Sequence, residues 1–177
     1  MFKRVKTITM FTLLGLFTIG VSTPAFPKNK YEKEGEIEQI AVKLVREVQR
    51  GGYQVITAEE LNKWIEAGKD LLIIDTMPYD ASYKKIHIPG AKQFLFPIPE
   101  MNDWDTKDMD GKTPEDFKAL LGKDKNKTIV IYCGFVKCGR SHNGAAWAVK
   151  LGYNDVYRFP GGIFAWRGAK YRTEKVQ

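Results

Sequence analysis

Apolar positions recur in two rhythms that alternate along most of this chain. Ile37, Ile40, Ala41, Leu44, Val45 and Val48 fall at helical spacing until Gly51 and Gly52, which predicts an amphipathic helix over residues 36–50. The charged stretch before it, residues 27–35, reads as a polar tether. Val55 and Ile56 make a short strand. Thr57, Ala58, Glu59 and Glu60 then form a capping-box pattern that opens a helix carrying Leu61, Trp64 and Ile65 and closing at Gly68. LLIID, ending at Asp75, and TIVIY, ending at Tyr132, are unbroken apolar runs between polar turns, the pattern of strands buried on both faces. Between them the pattern predicts a helical piece at residues 81–85, a turn at HIPGA, a strand at 93–96, a polar loop at 102–112 and a helix at 114–121. Ala145, Ala146, Val149 and Leu151 mark a further helix. VYRF is a last strand, and Pro160-Gly161-Gly162 turns into a short helix through Trp166. Strands alternating with helices predict an α/β fold, a largely parallel sheet flanked by helices on both faces, whose working end is the carboxyl edge of the strands.

The first residues depart from this alternation. Lys3, Arg4 and Lys6 precede an apolar stretch at 8–21 and small residues ending at Ala25, the three parts of a secretory signal, so residues 1–25 are expected to be cleaved. The apolar stretch is shorter than a bilayer span, which predicts an exported protein, periplasmic or extracellular, without stable membrane insertion after cleavage. The remaining 152 of the 177 residues suit one domain with a single core. Losing the three basic residues lowers the formal charge from +7 to +4, too weak a field to argue for nucleic acid but enough to draw small anions towards a site. The aspartates of the 102–112 loop lack calcium-loop spacing and read as a solvated surface.

Both cysteines lie in YCGFVKCGRSHNGAAW, immediately after TIVIY. A disulfide across so short a loop would stabilise little, so a purely structural staple is a poor explanation. Cys133, Cys138 and His142 offer three zinc-compatible side chains, but only His87, a turn residue, could supply a fourth; no metal and no other cofactor is expected. His142 itself is expected on the first turn of the helix, solvated or bonded locally. Cys133 sits at a strand's carboxyl edge and faces the amino end of a helix, where unpaired N–H groups and the helix dipole favour negative charge. Its pKa is therefore expected below that of a free cysteine, making it a nucleophile. The amides of Gly134, Phe135, Val136, Lys137 and Gly139 would cradle an anion, with Arg140 supplying a planar cationic fork and Lys137 a second cation. Trp147, Phe159, Phe164 and Trp166 read as core. Phe135 could either line the loop's lip or fold the loop down.

These residues carry a resemblance. Ile73-Ile74-Asp75, Tyr83, His87-Ile88-Pro89-Gly90-Ala91, Ile129 to Cys133, Arg140-Ser141, Ala145-Ala146, Gly152-Tyr153 and Pro160-Gly161-Gly162 to Trp166 make the chain similar to single-domain rhodaneses, the rhodanese-like sulfurtransferase family. The resemblance implies a rhodanese-like domain at 53–177, preceded at 26–52 by the tether and amphipathic helix, which could pack on the domain or mediate dimerisation. It implies Cys133 as the sulfur-carrying nucleophile, with Asp75 and Ser141 supporting the loop. Cys133 would take sulfane sulfur from a small anionic donor, thiosulfate or a polysulfide, and pass it to a thiol or cyanide-like acceptor. Sulfur-carrying family members place four residues between cysteine and arginine; here there are six, one of them Cys138. Cys138 has three readings: bystander, second sulfur carrier, or resolving thiol whose disulfide an exported thiol reductase would reopen. The alternative functions are a redox or sulfur-relay protein using the Cys133/Cys138 pair, and a non-catalytic binding module. A phosphatase fits less well, since Asp75 is the only acidic residue the pattern brings near and Tyr132, not histidine, precedes the cysteine.

Overall fold

The computed structural model describes residues 29–176; the expected signal segment, residues 1–25, lies outside them. Five parallel strands form one sheet in the order β1-β5-β4-β2-β3: β1 (Gln54–Val55), β2 (Leu71–Asp75), β3 (Lys92–Gln93), β4 (Thr128–Tyr132) and β5 (Val156–Phe159). TIVIY is the central strand and is buried throughout, as its unbroken apolar run requires. It pairs with β2 from Leu71↔Thr128 to Asp75↔Tyr132 and with β5 from Ile129↔Val156 to Tyr132↔Phe159, so the three strands end side by side. The working edge is therefore Asp75, Tyr132 and Phe159 and the loops that follow them.

Alternation along β4 splits its side chains between two layers. Ile129 and Ile131 join Ile74, Phe94, Phe96, Phe117, Ala145 and Ala148 on the face covered by α1 (Lys30–Gly51), α3 (Pro114–Leu121) and α4 (Arg140–Lys150). Val130 and Tyr132 join Ile56, Leu61, Ile73, Ile163 and Trp166 beneath α2 (Ala58–Glu66) and α5 (Gly162–Gly168). Each large apolar side chain so buried contributes roughly 1.5–3 kcal/mol. Among the described residues, no helix is long and apolar enough to cross a membrane.

The capping box at Thr57 and Glu60 and the helix at Pro114 form as the pattern predicts. Three expectations need correction. The tether is largely helix: α1 begins at Lys30, because Asn29 accepts from the Tyr31 and Glu32 amides while Glu32 reaches back to the Asn29 N–H. The expected strand at 93–96 is only Lys92–Gln93. Phe94 and Phe96 still donate to the Asp75 and Thr76 carbonyls, but their rings turn into an aromatic cluster with Trp104 and Phe117, and Pro97 has no N–H with which to continue the ladder. The helical piece expected at 81–85 starts earlier, as a π turn over Tyr79–Tyr83.

Candidate active site

The chain leaves β4 at Tyr132 and turns directly into Cys133, so the loop is seeded by the most buried strand of the sheet. Three elements hold it. From α5, the Ile163 and Phe164 amides donate to the Cys133 and Gly134 carbonyls at 2.9 and 3.0 Å. This approach depends on Gly162, which has φ +57° and would place a Cβ 2.2 Å from the Cys133 oxygen. From β2, Thr76 donates its N–H at 2.9 Å and its hydroxyl at 2.8 Å to the Tyr132 carbonyl. Against the β3 side, Gly139 packs so tightly that a Cβ would lie 2.2 Å from the Ile98 oxygen.

A further support is a buried cation that the sequence pattern hid. Arg158, on β5, is wholly inaccessible. Its Nε donates to Ser141 Oγ at 2.9 Å, and its Nη2 to the Cys138 and Val136 carbonyls at 3.1 and 3.5 Å. Its Nη1 meets Glu47 Oε2 at 2.5 Å and Tyr53 Oη at 3.3 Å. Glu47 belongs to α1 and is itself buried, so the amino-terminal helix reaches the cysteine loop through one ion pair. Ser141 passes this contact on: its oxygen accepts from Arg158 and lies 3.1 Å from Cys133 Sγ, so its own hydrogen is free to serve the sulfur when that sulfur is charged.

The two cysteines are free thiols, close enough that the ionisation of each depends on the other. Cys133 is fully buried. The Cys138 carbonyl lies 3.5 Å from its sulfur and the Phe135 carbonyl 3.8 Å, both acceptors that suit a protonated thiol. Cys138 is buried less deeply, and the Arg140 and Gly134 amides donate to its sulfur. Proton loss therefore falls the other way round from the sequence expectation. The contact with Cys138, together with burial, holds the Cys133 thiol well above its ordinary pKa, although the Ser141 hydroxyl and amide pull it down. The hydrogen bond from Cys133, followed by those from the Arg140 and Gly134 amides, brings Cys138 down to about 6. The helix amides do stabilise a thiolate, but at Cys138.

A cleft of about 340 Å³ opens over this pair, lined by Met77, Pro78, Ala81, Ser82, Ile98, Phe135, Lys137, Cys138 and Arg140. Phe135, Lys137 and Arg140 thus stand where an anion would enter, and Gly134 contributes its amide to the Cys138 sulfur. Arg140 also donates from Nη1 to the Phe96 carbonyl, which fixes its side chain at the rim. The Val136 side chain faces α1, in a cavity with Ile40, Leu44 and Glu47. Phe135 is exposed and lies on the lip, its ring 5.5 Å from that of Phe164. Phe164, expected in the core, is 63% exposed because α5 turns Ile163 and Trp166 inward and leaves the intervening residue outside.

Asp75 braces the neighbouring loop rather than the cysteine loop, accepting from the Met77 amide at 2.8 Å. Its Oδ2 is the one buried side-chain polar atom without a partner among the described residues, and burial raises its pKa to about 6. His142 lies on the first turn of α4 but is neither solvated nor locally bonded. Its Nδ1 meets Tyr53 Oη at 2.8 Å, and burial lowers its pKa. His87 is stacked on Tyr83, with Nδ1 2.8 Å from the Tyr83 carbonyl. No group of three or more potential metal-binding His, Cys, Asp or Glu side chains occurs among the described residues.

A parallel α/β sheet with a cysteine loop between its central strand and a helix amino terminus defines a thiol-based site at the sheet's carboxyl edge. The chain belongs to the rhodanese-like domain family, whose model matches residues 57–169. It is 32% identical over 112 residues to the probable adenylyltransferase/sulfurtransferase MoeZ of Mycobacterium tuberculosis, covering 63% of this chain and 24% of that protein. Over 73 residues it is 37% identical to the thiosulfate sulfurtransferase GlpE of Pseudomonas savastanoi, covering 41% of this chain and 64% of that one. The chain thus spans a quarter of the first and just under two thirds of the second. Among solved structures, a thiosulfate sulfurtransferase from Pseudomonas aeruginosa superposes with a TM-score of 0.54 at 20% identity over 73% of this chain and 22% of that one. The BH2092 protein of Bacillus halodurans gives 0.53 at 21% identity over 77% and 87%. These likenesses establish the fold, and the sequence relatives establish kinship with sulfurtransferases.

Proposed function

We propose that the protein moves sulfane sulfur from a small anionic donor, thiosulfate or a polysulfide, to a thiol or cyanide-like acceptor through a persulfide on Cys133. The observation that carries this reading is the environment of Cys133: it follows directly on the central strand, touches the Ser141 hydroxyl at 3.1 Å and lies beside a second thiol that lines a cleft bearing Lys137 and Arg140. Attack on the donor's outer sulfur breaks its S–S bond, and the leaving anion departs past those two cations. Attack by the acceptor on the terminal sulfur of the persulfide then restores the thiol. The charged amino-terminal segment supports the accompanying expectation of an exported protein.

Steady-state assays of sulfite release from thiosulfate and sulfur transfer to cyanide or a dithiol test the reading. Transfer is expected in the wild type and at background in Cys133→Ser. Undiminished transfer by a folded Cys133→Ser would overturn it. The contact between two free thiols favours a second reading, thiol–disulfide exchange with an exported reductase as partner. In that case the donor would leave an intramolecular disulfide and no protein-bound sulfur.

A further inference from the structure

The sulfur-transfer reading leaves a geometric difficulty. Cys133 is wholly inaccessible and is not among the residues lining the cleft, whereas Cys138 lines it. The Cys138 sulfur also occupies the amide cradle, receiving the Gly134 and Arg140 N–H groups. A donor entering past Phe135, Lys137 and Arg140 therefore meets Cys138 first.

Resting on that reading, we propose that Cys138 is the receiving thiol, which takes the sulfane sulfur from the donor and relays it inward to Cys133. In the first step the Cys138 thiolate attacks the outer sulfur of thiosulfate. The sulfur–sulfur bond of the donor breaks, sulfite leaves with the electron pair, and Cys138 becomes a persulfide. In the second step the Cys133 sulfur attacks the terminal sulfur of that persulfide. The bond between that sulfur and Cys138 Sγ breaks, the proton of Cys133 passes to Cys138, and the persulfide now resides on Cys133. Neither step changes the total oxidation state of the two cysteines and the transferred sulfur, so no outside oxidant or reductant is needed.

The surroundings suit this order. Before loading, the cradle amides and the Cys133 thiol stabilise charge on Cys138, which brings it to about 6 and makes it the thiolate at neutral pH. A low-pKa thiolate is also the better leaving group in the second step. Once Cys138 carries sulfur, the negative charge moves off Cys138 Sγ to the outer sulfur, while the Ser141 hydroxyl and amide remain to stabilise charge on Cys133. Arg158 fixes Ser141 for that role through its 2.9 Å contact. The mostly apolar walls contributed by Met77, Pro78, Ala81, Ile98 and Phe135 would exclude water from the relay.

Rapid-quench loading with thiosulfate or polysulfide, followed by alkylation and tryptic mass mapping, tests the order, because cleavage after Lys137 separates the two cysteines. The label is expected on Cys138 at the earliest times and on Cys133 later. Cys133→Ser should retain one sulfur on Cys138. Cys138→Ser should load about tenfold more slowly at pH 7, since its remaining thiol is fully buried and does not line the cleft. First appearance on Cys133 with none on Cys138 overturns the relay while leaving the sulfurtransferase intact. So does a disulfide with released sulfide from the Cys138 persulfide, because it shows attack on the wrong sulfur. A wild type that transfers no sulfur and acquires none overturns both readings. The wild-type time course needs no variant, so a misfolded mutant would not obscure the result.

Discussion

Removing the carboxylate of Glu47 should damage a site that lies more than eighty residues away in sequence. In Glu47→Ala the Arg158 guanidinium, which is wholly inaccessible, loses its one close counter-charge among the described residues, the Glu47 oxygen at 2.5 Å. Breaking a buried pair from one side costs roughly 3–5 kcal/mol, because the remaining charge is left uncompensated. Here four neutral acceptors stay in place, Ser141 Oγ, Tyr53 Oη and the carbonyls of Val136 and Cys138, which puts the expected loss at about 3 kcal/mol, the low end of that range. For a domain of this size that corresponds to a fall in Tm of about 6–12 °C. Urea unfolding followed by tryptophan fluorescence measures it, and the double variant Glu47→Leu/Arg158→Met supplies the control. With both charges gone, stability should return to within about 1 kcal/mol of wild type. Sulfur loading should not return, since Ser141 and the Cys138 carbonyl would have lost their donor. A Glu47→Ala protein less than about 1 kcal/mol weaker than wild type would refute the reasoning, because that is the scale of a solvent-exposed pair.

Three further outcomes follow from the same geometry. Asp75→Asn should stabilise the protein at pH 7 by up to about 3 kcal/mol. The folded carboxyl titrates at about 6, above its unfolded value near 3.8, so stability falls as pH rises between those values; thermal melts of the pair at pH 4 and pH 7 should diverge only at the higher pH. Alkylation by iodoacetamide should rise with pH through an inflection near 6 that maps to Cys138, and Cys138→Ser should lose it. An inflection that maps to the Cys133 peptide of the wild type would assign the low-pKa thiol to Cys133. Gly162→Ala should cost at least about 2 kcal/mol and suppress sulfur loading, since its Cβ would meet the Cys133 carbonyl at 2.2 Å in a left-handed backbone; wild-type loading and chemical stability would contradict that packing.

The parts of the molecule that sequence made legible are those governed by local physics. TIVIY reads as a buried strand because Ile129, Val130 and Ile131 run unbroken at its centre, and Thr57 and Glu60 read as a cap because their bonds span three residues. The cysteine loop could be placed at the sheet edge for the same reason. Arg158 was not legible: one arginine in VYRF looks like the solvent side of a strand, and its partner Glu47 sits 111 residues earlier on what reads as a helix's polar face. The ranking of the two thiols was hidden as well. Strand-to-helix position alone favours Cys133, and only the folded loop turns Cys138 into the amides and surrounds Cys133 with carbonyls. Phe164 shows the opposite limit, since an apolar residue on a seven-residue helix has too little periodicity around it to say which way it faces.

The central claim, that this loop carries sulfur rather than merely cycling between thiols and disulfide, is tested most directly by intact mass. The reduced protein would be measured after thiosulfate or polysulfide, and again after a thiol acceptor. The account predicts the gain of one sulfur atom, its loss to the acceptor, and no gain in the Cys133→Ser/Cys138→Ser double variant. Loss of two hydrogens with no retained sulfur, dependent on both cysteines, would contradict it and make the pair a redox couple.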